Sequence, residues 1–266
     1  MNALTVQTES WLRLGAFLTL FSLLALLEVL YPRRQLLHGR LIRWPTNLLL
    51  SALNTTLARV VVPIAGVGAA LLADRQGMGL FNWLSLPAWL ELIVFLLLFD
   101  LTIYLQHRVF HRVPVLWRLH RMHHTDPDYD LTTGNRFHPL SILLSGLIKV
   151  VLILLVGPMT LAVVIGEILL NSTSMFNHSN IRIPSSLDSR LRLLVVTPDM
   201  HRVHHSINEL EHNRNFGFNF PWWDRLFGTY QEQPTAGHEK MEIGIRGFHG
   251  ADTTRLLPLL VQPLKK

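Results

Sequence analysis

The sequence predicts an all-α integral membrane protein. About four to five apolar spans, including a helical hairpin, would carry a histidine-rich helical cap on the cytoplasmic side. Three observations support this class. Apolar residues fill 49% of the 266 positions and charged residues only 16%, whereas a soluble domain has about a quarter of its residues charged. Long apolar runs recur through the first 172 residues. Eight of the fourteen histidines lie in three clusters beyond the ends of those runs: His107 and His111; His120, His123 and His124; His201, His204 and His205.

The runs can be taken in order. Residues 11–31 are too long for the core of a signal peptide, carry Glu28, and lack a small-residue cleavage site before Tyr31-Pro32-Arg33-Arg34. They read as a first span. Residues 46–72 are long enough to cross despite Arg59, and residues 88–106 match the roughly 20 positions that a hydrocarbon core requires. Residues 139–172 exceed one crossing and are interrupted by Gly157-Pro158. They predict two short spans, 140–156 and 158–172, joined as a hairpin. Lys149 and Glu167 then stand on opposite arms, either paired or with Lys149 reaching for the interface.

Orientation follows from the loops. Arg33, Arg34, Arg40 and Arg43 occupy 32–45 without an acidic residue, which places that loop in the cytoplasm. Two further crossings bring His107 out on the same side, and the hairpin returns the chain there before His201. The remaining residues contain no further apolar run of that length and predict a cap lying on the membrane.

Composition also narrows the chemistry. The chain has no cysteine, so thiolate zinc sites, iron–sulfur clusters, disulfides and cysteine nucleophiles are excluded. The net charge of +6 is scattered around apolar spans, which suits a membrane surface and gives no nucleic-acid partner. Spacings of three and four place side chains on one helix face, so each cluster presents two or three imidazoles together. Neutral imidazole suits zinc, copper, iron and nickel. One zinc takes three or four ligands; eight histidines exceed that and fit two ions with open positions. Two other classes compete. A zinc-dependent membrane hydrolase needs a general base beside a metal-bound water, and no HExxH occurs. A histidine-rich metal-binding or transport protein would place ligands near the membrane midplane, whereas these clusters lie at span ends.

The order HxxxH, HxxHH, HxxHH, with the first box closing a span and an apolar hairpin before the last, resembles the fatty acid hydroxylase/sterol desaturase superfamily. The resemblance runs from about Phe95 to Tyr230. It includes Thr133-Gly134-Asn135-Arg136-Phe137-His138-Pro139, Asn177-His178-Ser179-Asn180-Ile181, Thr197-Pro198-Asp199-Met200-His201 and Trp223-Asp224-Arg225-Leu226-Phe227-Gly228-Thr229-Tyr230. It implies a membrane di-iron oxygenase that hydroxylates or desaturates a lipid C–H bond with O2. Two Fe ions would be held by the eight box histidines, with zinc able to replace them in purified protein. His178 matches an additional family histidine, either as a ninth ligand or as a hydrogen-bond partner. The chain has no GxGxxG fingerprint, so electrons would come from an external carrier, a ferredoxin or a b-type cytochrome with its reductase. Arg118, Arg121, Arg136, Arg202 and Arg214 would form a face that docks this carrier or binds anionic headgroups. The implied organisation is an N-terminal transmembrane region (1–92), a histidine-box domain (93–232) and a cytoplasmic C-terminal tail (233–266).

Carboxylates are expected to take the outer N–H of the imidazoles. Asp100, seven residues before His107, lies on nearly the same helix face; Asp126, Asp128 and Asp130 follow the second box. Asp199 reads either in that role or as the N-cap of the His201 helix. His138, beside Arg136, reads equally as a helix-start residue or as a partner of the metal site. His212 reads as a solvated loop residue, and Asp224 as a structural partner of Arg225 or a backbone-turn residue. His38, His238 and His249 have no motif context.

Overall fold

The computed structural model describes residues 6–64 and 66–265, and among these the regular structure is helical, with only two isolated bridges, Pro32–Ile181 and Ser206–Ile243. The helices are α1 (Val6–Leu30), α2 (Arg40–Val61), α3 (Val67–Gln76), α4 (Leu80–Trp83), α5 (Ala88–Arg112), α6 (Pro114–His124), α7 (Pro139–Val156), α8 (Thr160–Asn177), α9 (Ser185–Leu191), α10 (Pro198–His204), α11 (Glu209–His212), α12 (Trp222–Leu226), α13 (Gly237–Lys240), α14 (Ala251–Thr254) and α15 (Leu256–Val261). Among the described residues, three stretches are long and apolar enough to cross a membrane: Glu9–Leu30, Ala88–Arg112 and Pro139–Val156. The chain is an integral membrane protein.

The expected span at 46–72 is divided. Pro63 brings no N–H to the helix ladder and pushes the preceding Val62 off helical geometry, to φ −126° and ψ 64°. Gly66 at φ 63° completes the break before α3. Moreover, α2 starts at Arg40, and its buried residues include Arg43, Asn47 and Asn54. Its first half therefore reaches the loop after the second histidine box, and the helix also packs against α7.

The expected hairpin is seen in part: α7 and α8 flank the Gly157-Pro158 break, with α3 and α5 packed against both, but of the two spans expected there only Pro139–Val156 is long and apolar enough to cross. Pro139 starts α7 at the position where a missing N–H costs nothing, and the His138 side chain caps it by accepting from the Leu140 N–H. Gly157 closes it at φ 65°. A side chain at Gly157 would meet the Met78 carbonyl, and one at Gly79 would meet Gly157 itself, so the hairpin tip rests on the α3–α4 turn through two glycines. Lys149 pairs with Glu167 at 3.3 Å, and Arg13 of α1 joins the same carboxylate. This satisfies charges that hydrocarbon would otherwise penalise. α1 packs along α8, and α5 packs against α7 and α8, around a core that includes Phe95, Phe99, Ile153 and Val163. These contacts hold the ends of α5 and α8 side by side beneath α6 and α10.

Candidate metal centre

Four chain segments deliver imidazoles to one place. The last turns of α5 carry His107 and His111. At Val113-Pro114 the chain must leave that helix, because Pro114 can only begin a new one. The resulting α6 folds His120, His123 and His124 back over the end of α5. His178 caps the C-terminus of α8. Thr197 caps α10 by accepting from the Met200 N–H, and α10 presents His201, His204 and His205.

All nine of these histidines converge, in two groups. His107, His111, His120, His124 and His204 form the first; His123, His178, His201 and His205 form the second. Within each group one nitrogen per residue lies within 4.8 Å of all the others. In the first group the Nε2–Nε2 separations are 3.0 Å for His107–His120 and His107–His204, 3.1 Å for His111–His124 and 3.3 Å for His120–His124. In the second they are 3.1 Å for His178–His123 and 3.2 Å for His178–His205. Nitrogens bound at about 2.1 Å to one ion, at right angles, would be about 3.0 Å apart.

The tautomers make this donor set fit a cation. The Nδ1–H of His107 donates to the Phe216 carbonyl at 2.9 Å, and that of His204 donates to the Arg214 carbonyl at 2.7 Å. Neither ring therefore carries a proton on Nε2 while it is neutral. Burial, with further repulsion from neighbouring rings, holds His120, His123, His124, His201 and His205 well below the usual imidazole pKa. His204 is also held well below that value by burial, and His178 is pushed down to about 3. Two bare lone pairs thus face each other at 3.0 Å between His107 and His204. That arrangement is repulsive unless a positive ion lies between them. His201 is wholly buried and neither of its nitrogens has a hydrogen-bond partner, a costly state that metal ligation relieves.

The partners of the imidazoles differ from the expectation. The outer nitrogens of His107, His178 and His204 bond the main-chain carbonyls of Phe216, Ser174 and Arg214, and not carboxylates. Asp100 instead accepts from the Asn219 and Phe220 N–H groups and from the Trp223 indole. Asp224 accepts from the Phe216 and Gly217 N–H groups and from the Thr229 hydroxyl. Both act two bonds back, by fixing the loop that supplies the Phe216 carbonyl. Asp199 neither caps α10 nor bonds a box histidine: it pairs with Arg202 and Arg33, which lie closer than any ring. His138 donates to the Leu260 carbonyl while capping α7, so it takes the helix-start role.

Asp126, Asp128 and Asp130 face α2. Arg43, fully buried, donates to both oxygens of Asp126 at 2.7 and 2.8 Å and to Asp130 at 2.7 Å. Asp128 accepts from the Leu37 and His38 N–H groups. Arg136 donates to the Met122 carbonyl and the Thr125 hydroxyl. The sequence reading missed this network, because Arg43 carried a topology signal that hid its second role. Burial alone would raise the Asp126 carboxyl, but Arg43 and Arg136 outweigh it and bring the group down to about 2. A depressed carboxylate contributes stability that is present above its unfolded value and lost as pH falls through the folded one. We therefore expect the cap to lose about 2 kcal/mol between pH 4 and pH 2, read as a falling thermal midpoint of the detergent-solubilised protein. In an Asp126→Asn variant this loss should be absent.

Other expected residues separate. Arg118 and Arg214 are exposed, whereas Arg121, Arg136 and Arg202 are buried and offer no docking charge. Arg121 and Arg136 are held by main-chain carbonyls, and Arg202 by Asp199 and the Ser179 carbonyl. His212 is half-buried and stacks on Trp117 at 5.4 Å, beside His111. His111 is the only one of the nine that is not buried, so this aromatic edge is where the first group comes nearest the surface.

No solved structure matches. The ornithine lipid hydroxylase of Rhizobium tropici is 30% identical over 162 residues, 60% of this chain and 47% of that protein. The human (Homo sapiens) alkylglycerol monooxygenase is 31% identical over 150 residues, 55% of this chain and 31% of that protein. A very-long-chain aldehyde decarbonylase of Oryza sativa subsp. japonica is 28% identical over 163 residues, 60% of each. The chain thus aligns with about half the length of the first relative and about a third of the second. Residues 92–229, just over half of the chain and the stretch holding all nine converging histidines, match the fatty acid hydroxylase family model, and the chain belongs to that family.

Proposed function

We propose that this protein is a membrane lipid oxygenase. Two iron ions held by His107, His111, His120, His124 and His204 and by His123, His178, His201 and His205 would serve to hydroxylate or desaturate a lipid C–H bond with O2. The observation that carries the reading is the convergence of unprotonated Nε2 atoms, with His107 and His204 facing each other at 3.0 Å. When bound, iron supplies the oxidising chemistry that imidazole acid–base catalysis lacks; zinc can occupy the same nitrogens in purified protein.

The chain's own residues do the rest. The Phe216, Arg214 and Ser174 carbonyls fix which nitrogen of three rings carries the proton and aim the other inward. Burial keeps the imidazoles neutral, the form that binds metal. The groups lie at the ends of α5 and α8, which supports a site at the membrane surface, and the arginine-rich 32–45 loop would make its side the cytoplasmic one. Lipid would then reach it from the bilayer. Electrons would come from an external carrier, a ferredoxin or b-type cytochrome, at the Trp117–His212 edge. Arg112, Arg118 and Arg214 are exposed there and could attract an acidic protein.

The test is anaerobic purification with metal analysis, followed by mass spectrometry of membrane lipids with and without the protein. A lipid that gains one oxygen or loses two hydrogens identifies both substrate and reaction. Fully loaded protein that held only zinc and took up no oxygen with any reductant would overturn the proposal.

A further inference from the structure

The C-terminal segment lies outside the family-matched stretch, yet it does not trail away as a tail. The turn of 3-10 helix at Gln262–Leu264 packs against α6, α14 packs against α2, and α15 lies between them in the chain. The Arg121 guanidinium, between His120 and His123, donates to the Gln262 and Lys265 carbonyls. The Gln262 amide donates to the Thr125 hydroxyl at 3.2 Å. Arg136 donates to the Thr253 carbonyl, and His138 to the Leu260 carbonyl. Leu259 is fully buried against Leu50 and Met122. One face of this strap is thus used up in holding the helix that carries the second histidine box.

The opposite face is also apolar. Leu257, Val261 and Leu264 are 71%, 40% and 82% exposed. At spacings of four and three they share one side of the helix. A short helix that is apolar on both sides, one against protein, needs a second apolar environment. Its height relative to the spans identifies that environment. His138, which bonds Leu260, is the N-cap of α7, and the apolar stretch of α7 begins at the next residue. The strap therefore sits at the level where α7 enters hydrocarbon. Arg255, exposed, and Lys265, half-buried, bracket the apolar stripe, although Lys265 also pairs with Asp252. Apolar side chains flanked by basic ones, at the depth of the headgroup boundary, match an in-plane interfacial helix.

We propose that residues 256–264 are a membrane-interface strap. Leu257, Val261 and Leu264 insert into the headgroup–acyl boundary of the host bilayer, and the strap's inner face holds α6, so that contact with lipid positions His120, His123 and His124. The proposal does not depend on which metal the histidines bind or on which lipid is oxidised.

The absence of cysteine permits a clean test. Single Leu257→Cys and Leu264→Cys variants carry a nitroxide label in phosphatidylcholine–phosphatidylglycerol vesicles. Leu210→Cys, 80% exposed on α11, serves as the aqueous reference, and Leu147→Cys, exposed on α7, as the hydrocarbon reference. Labels at 257 and 264 should collide with oxygen about as often as the label at 147, and roughly tenfold less often with a water-soluble nickel chelate than the label at 210. Collision with the chelate equal to that at 210 would overturn the insertion. The positioning role is read separately from amide exchange of α6 in a Leu257→Gln, Leu264→Gln double variant. Neither side chain faces the core, so the variant should fold. Exchange of α6 should quicken several-fold in vesicles relative to the parent, and equal rates in the two proteins would overturn the coupling.

Discussion

Replacing His204 with alanine should reduce bound metal from roughly two ions per chain to roughly one and abolish measurable lipid oxidation. His204 belongs to the first histidine group, and its Nε2 lies 3.0 Å from that of His107. Its removal leaves the second group intact. A lost ligand should cost more than the 10- to 100-fold in affinity typical of residues that merely orient ligands, so a drop of about 100-fold or more is expected at the first site. The informative comparison is His212→Ala. His212 lies on the same side and is close to His111, yet it stacks on Trp117 and stands outside both groups. It should retain both ions. Metal analysis of the two variants checks this. Two full ions in the His204 variant, or one ion in the His212 variant, would refute the grouping.

Arg43→Met should be the most destabilising single change away from the histidines, by about 3–5 kcal/mol. The side chain is completely buried and is the cation shared by Asp126 and Asp130. Its loss leaves two buried carboxylates with little besides Trp44, Asn47, Thr132, Thr133 and a distant Arg136. Adding Asp126→Asn and Asp130→Asn to Arg43→Met should restore part of the loss, because the uncompensated charge disappears with the carboxylates. Denaturant or thermal unfolding in detergent would measure both. A triple variant less stable than the single one would show that hydrogen-bond geometry, and not charge, dominates the network.

The histidines were legible because a spacing of three or four on a helix is itself a geometric statement, and few other residue types share their chemistry. The hairpin was legible from Gly157-Pro158 for the same local reason. What surrounds the imidazoles was not. The Phe216, Ser174 and Arg214 carbonyls belong to the main chain, and any residue type could have supplied them. Helix phase aims Asp100 towards His107, but its reach to the 219–223 loop depends on how a segment more than a hundred residues away packs. Pro63 and Gly66 stood in plain view, yet the apolar length of 46–72 outweighed them in the sequence reading. Arg43 contributes only its sign at the level of sequence, since a basic loop predicts sidedness whether or not one of its members turns inward.

The partners of α1 and α2 bear on how portable this fold is. Glu28 accepts from the Leu131 and Asn180 N–H groups at 2.8 and 2.7 Å, and Arg43 grips the loop after the second box. These anchors precede residue 92, where the family match begins. A chimera that transplants only the matched stretch would bring all nine converging histidines but leave behind the groups that organise the turns between them. Graft design, and any comparison of partial relatives, should treat residues 28–47 as cargo that travels with the histidines.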